Sequence, residues 1–77
     1  MPGAKLSTVY IRDRAGNTFA TNVSAARTYA AVREATAFFR DAFWKGPKPA
    51  SDTVCEVAVM GIERKFWIRV GDAESTM

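Results

Sequence analysis

The chain has 77 residues, 48% of them hydrophobic and 12% aromatic, with one Cys, no His and a formal net charge of +3. That length allows one domain burying about 60–65% of its unfolded surface, and the apolar content excludes general disorder. Without His the commonest metal ligand and general base are missing, and one Cys excludes a Cys- or His-rich zinc site and an internal disulfide.

Met1 to Lys5 reads as a frayed terminus. The opening MPGAKLST has one Lys and no apolar run after it, so a signal peptide is not expected there. No segment approaches the roughly 18 apolar residues of a membrane span. A lone Cys suits a reducing compartment, and a cytoplasmic protein with no membrane association is expected.

Leu6 to Arg12 (LSTVYIR) alternates as a strand, with Val9 and Ile11 on one face and Thr8, Tyr10 and Arg12 on the other. Asp13 to Asn17 supplies a turn, in which Gly16 and Asn17 both tolerate positive φ. Thr18 to Val23 reads as a returning strand, short or irregular, with Phe19, Thr21 and Val23 on one face.

Ser24 to Lys45 (SAARTYAAVREATAFFRDAFWK) carries the strongest pattern. Ala25, Tyr29, Val32, Thr36, Phe39 and Phe43 recur at helical spacing, and Ala31, Ala35, Phe38 and Ala42 form a second stripe beside them. Ser24 is a suitable N-cap, and Gly46-Pro47 is a stop in which Gly46 offers a left-handed exit. These signals predict a helix of about 21 residues, roughly 30 Å long. Arg27, Arg33, Arg40 and Lys45, interleaved with Glu34 and Asp41, read as its solvated side.

Gly46 to Asp52 (GPKPASD) is a stiff loop. Thr53 to Met60 reads as a strand with Cys55, Val57 and Val59 on one face and Val54, Glu56, Ala58 and Met60 on the other. Both faces are fairly apolar, which suits a central strand. Gly61 opens a turn. Arg64 to Val70 alternates, with Phe66, Ile68 and Val70 inward and Lys65, Trp67 and Arg69 outward. Residues 72–77 read as a polar, frayed tail. Cys55 reads as a small buried hydrophobe.

The expected fold is α+β: one long helix packed on a four-stranded antiparallel sheet in the order β-β-α-β-β, a single domain over residues 1–77. The expected core is Val9, Ile11, Phe19, Val23, Tyr29, Val32, Phe39, Phe43, Cys55, Val57, Val59, Phe66, Ile68 and Val70. Strand order stays open.

One helix covers one sheet face. The other then carries Tyr10, Arg12, Asn22, Glu56, Met60, Lys65, Trp67 and Arg69. Tyr10, Arg12, Lys65, Trp67 and Arg69 are the candidate binding residues: aromatic rings stack on bases or anchor a protein partner, and cations pair with phosphate or carboxylate. The alternative is that these residues simply suit an exposed pleated surface. Glycine-rich phosphate loop, nucleophile elbow and metal motif are all missing, so neither enzyme activity nor a cofactor is expected.

This β-β-α-β-β order, with an Ala-rich helix ending at Phe43-Trp44-Lys45-Gly46-Pro47 and a hairpin around Val59-Met60-Gly61, resembles some anti-CRISPR proteins that act on type I systems. The resemblance implies a phage-encoded, non-enzymatic inhibitor in the host cytoplasm. Its partner would be a multisubunit RNA-guided surveillance complex, whose path for target DNA it occludes. A monomer is the expected state. The runner-up is a small basic protein that binds RNA or DNA, on the strength of the net charge and the cluster of Arg12, Lys65 and Arg69.

Overall fold

A computed structural model describes residues 5–75. It is α+β: four antiparallel strands form an open sheet with two helices, in the order β1 (Lys5–Arg12), β2 (Thr18–Ala25), α1 (Thr28–Arg40), β3 (Val54–Val59), β4 (Lys65–Arg69), α2 (Val70–Ser75). The sheet order is β2-β1-β3-β4. Its two hairpins therefore lie side by side, with the N-terminal strands of both hairpins in the centre.

Alternation places Val9, Ile11, Cys55, Val57, Val59 and Ile68 on the covered face, all buried. α1 lays Ala31, Val32, Ala35, Thr36 and Phe39 against them. Phe19, Val23 and Phe66, expected inside, are only partly buried and pack around this core. Phe19 and Val23 lie on β2, an edge strand with no neighbour on its outer side among the described residues.

The helix is shorter than its pattern predicts, at 13 residues. At its start, Ser24 and Ala25 belong to β2, paired with Leu6 and Lys5. Ladder hydrogen bonds hold the chain extended there, and Ser24 is no N-cap. Arg27, still extended, takes that position without a side-chain cap. At its end, the Asp41 carboxylate accepts from the Phe43 amide (2.9 Å) and turns the chain out. Lys48 Nζ then bonds the carbonyls of Asp41 and Trp44. Phe43 consequently leaves the core and is 90% exposed, and Tyr29 is 41% exposed at the other end.

Trp44 takes the place expected of Phe43. Its ring meets Phe19, Phe38 and Phe39 at centroid distances of 5.1–5.7 Å, and its indole N–H donates to the Pro47 carbonyl. Gly46 adopts no left-handed exit; positive φ occurs at Gly16 and Gly61 alone among the described residues. Gly46 is needed for space, since a Cβ there would fall 2.3 Å from the Trp44 ring. Asn17 also keeps negative φ; the Asp13 carboxylate accepts from its amide (2.8 Å) instead and is held below the usual carboxylate range, chiefly by that bond.

The expected tail at 72–77 is corrected over residues 72–75, which belong to α2. Val70 and Ala73 are fully buried. Arg33 donates to the Ala73 carbonyl, and Arg40 donates to the Pro49 carbonyl and pairs with Glu74. These two arginines, read as a solvated side, clamp α2 and the prolyl loop to α1. At the other end Lys5 is part of β1, not frayed; residues 1–4, 76 and 77 of the expected tails lie outside the described residues.

Candidate functional site

The helices leave one sheet face open, and the strand registers set its pattern. Tyr10 stands opposite Glu56, and Glu56 opposite Trp67, so one row crosses three strands. Ala20 extends it onto β2. In the next row Asn22, Thr8, Ala58 and Lys65 are aligned, and Thr8 Oγ1 donates to Asn22 Oδ1 at 2.7 Å. On the other flank Arg69 faces Val54, and Arg12 faces Thr18.

These rows enclose an open concavity of about 480 Å³ lined by Tyr10, Arg12, Thr18, Val54, Glu56, Lys65 and Trp67. It brings together Tyr10, Arg12, Lys65 and Trp67 of the residues read from the sequence. Arg69 stands beside it on β4 and does not line it. Trp67 is 64% exposed. Nothing stacks on its indole among the described residues, whereas Trp44 is enclosed by phenylalanines.

The sequence puts Glu56 on this face without marking it as a binding residue, and it marks neither Thr18 nor Val54 as one. Glu56 lies in the middle of the concavity, with its carboxylate 3.2 Å from Lys65 Nζ. Its central position depends on β3 lying between β1 and β4, which alternation alone does not reveal.

The concavity offers an aromatic wall, the Arg12 guanidinium and the Lys65–Glu56 ion pair. Cys55 is on the covered face, 1% exposed, with its thiol pushed up to about 11 by burial. The thiol therefore stays protonated near physiological pH. Among the described residues, no group of three or more His, Cys, Asp or Glu is placed to hold a metal ion. No helix among them is long and apolar enough to cross a membrane.

No family model, curated protein or solved structure matches the chain.

Proposed function

We propose that the open sheet face binds a protein and that the chain is a non-enzymatic, anti-CRISPR-like inhibitor. In this reading it acts in the bacterial cytoplasm and blocks target-DNA binding by a type I RNA-guided surveillance complex. The supporting observation is Trp67, exposed on a concave wall with Tyr10 across from it. Large aromatics in such hollows are the usual anchors of protein interfaces.

Binding of RNA or DNA is the second reading, favoured by Arg12, Lys65 and Arg69. Glu56 weighs against it. A phosphate chain crossing the row from Tyr10 to Trp67 meets a carboxylate at its centre, and Lys65 is already paired there. A protein partner uses the same arrangement, because a cation or amide of its own is accommodated by Glu56 while Arg12 and Arg69 take carboxylates.

The test is target-DNA binding by a purified surveillance complex, with and without the protein. Inhibition that Trp67→Ala weakens by about 2 kcal/mol, with the fold intact, supports the reading. Phe66→Ala, on the covered face, should act through stability instead. Salt separates the two readings: phosphate contacts lose affinity steeply as salt rises, an apolar-anchored interface far less. Recovery of nucleic acid alone from a lysate would sink the inhibitor reading.

A further inference from the structure

We infer that two copies of this chain associate through the outer edges of β2, in antiparallel register centred on Thr21. The two edges of the sheet differ in a way that points to this. β4 is short, carries Lys65 and Arg69, and runs directly into α2. Edge charges of that kind discourage pairing. β2 is eight residues long, TFATNVSA, with no charge and no proline. It has none of those guards.

The ladder shows which groups β2 presents. Asp13 N–H donates to the Asn17 carbonyl. Hydrogen-bonded pairs then recur at every second position along the hairpin: Ile11 with Phe19, Val9 with Thr21, Ser7 with Val23. The N–H and C=O groups of Thr18, Ala20, Asn22 and Ser24 therefore point outward. With Thr21 on a two-fold axis, Thr18 faces Ser24 of the second copy and Ala20 faces Asn22. Every outward group then finds a partner, in about eight backbone hydrogen bonds. Moving the axis to Ala20 or Asn22 forfeits about two of them.

Side chains select the same register. On the covered side it sets Phe19 opposite Val23 of the second copy, twice by symmetry. Both are only partly buried in the single chain. Aromatic with β-branched is a favourable cross-strand pair. The helix adds to this flank. Arg33 and Arg40 reach α2 from one side of α1. Phe38 lies about 140° round the helix from Arg33, on the side away from α2. It is 46% exposed and touches Trp44, which in turn touches Phe19 of β2. An unguarded edge thus lies beside an apolar flank, and a two-fold axis joins each to its own copy.

The test is sedimentation of the full chain over a concentration series, with two variants. The wild type should move from monomer to dimer at high micromolar concentration. Thr21→Lys sets two ammonium groups face to face on the axis and should stay monomeric with the circular dichroism of the wild type. Thr21→Cys reports whether or not the lysine variant folds. Residues on the axis form a non-hydrogen-bonded pair with Cα atoms about 4.5 Å apart, which a disulfide spans. Mild oxidation should give a covalent dimer much faster than with Ala20→Cys, while buried Cys55 does not react. A wild type that is monomeric at every concentration overturns the inference. So does a dimer that survives Thr21→Lys while Thr21→Cys cross-links no faster than Ala20→Cys.

Discussion

Thr36 is a polar residue where the helix faces the sheet. It is 3% exposed, and its hydroxyl has no hydrogen-bond partner among the described residues. An orphaned buried hydroxyl carries its desolvation cost with no return, about 1–3 kcal/mol. Thr36→Val keeps the shape and removes the polar atom, so it should stabilise the protein by about 1–2 kcal/mol in a denaturant titration. Destabilisation would mean that the hydroxyl is bonded in solution. Cys55 gives a pH dependence. Burial raises its thiol from the ordinary 9.0 to about 11 in the folded chain. Between those values the unfolded chain gives up the proton and the folded chain keeps it, so stability falls as pH rises through the window. The loss reaches about 2–3 kcal/mol at the alkaline end. Cys55→Val should lack that part of the decline; parallel curves for the two proteins would count against a buried neutral thiol.

At the scale of elements, the strands were legible and the helix ends were not. Alternation in residues 6–12, 53–60 and 64–70 identified β1, β3 and β4, because each has one face against the core. The pattern over Ser24–Lys45 identified a helix, yet Ser24-Ala25-Ala26 fits a strand end as well as a first turn. Pairing of Ser24 with Leu6 decided it, and a long-range pairing leaves no mark on local spacing. Phe43 and Trp44 are adjacent, so a shift of one position at the Asp41 turn exchanged the exposed aromatic for the enclosed one. The residues of α2 look polar because so short a helix needs only Val70 and Ala73 inside. Its attachment is testable at Gly71, whose N–H donates to the Ser51 carbonyl at 2.7 Å. A Cβ on Gly71 would lie 2.9 Å from that same oxygen. Gly71→Ala must therefore push α2 off the loop or break the bond, and should cost about 1–3 kcal/mol in thermal unfolding. An unchanged melting curve would show that the loop around Ser51 yields freely. The candidate face was readable as a set of residues, since Tyr10, Arg12, Lys65, Trp67 and Arg69 all emerge on one side. Its geometry was not, because the meeting of Tyr10 with Trp67 across Glu56 requires the order β2-β1-β3-β4.

For the whole molecule, the proposed pairing sets how many partners one assembly holds. Joining two four-stranded sheets at β2 leaves the two β4 strands at the far edges, seven strand spacings apart, or about 34 Å. Neighbouring strands rotate by roughly 20–25°. The two concavities, each centred on β3, lie five spacings apart and turn away from one another by about 110°. Two concavities so oriented do not settle on one flat surface of one partner; each is presented to a different molecule. With a protein bound on each open face and the two chains joined at β2, the complex should hold two copies of this chain and two partners, seen by mass in solution at saturating partner. Thr21→Lys should reduce the assembly to one copy with one partner while leaving the affinity per site unchanged, because Thr21 is on the opposite side of the sheet from Trp67. Trp67→Ala should do the reverse, keeping the dimer and losing the partner. A two-to-one complex, with a single partner on the dimer, would show that the faces cooperate on one surface and that the sheet is much flatter than strand twist allows.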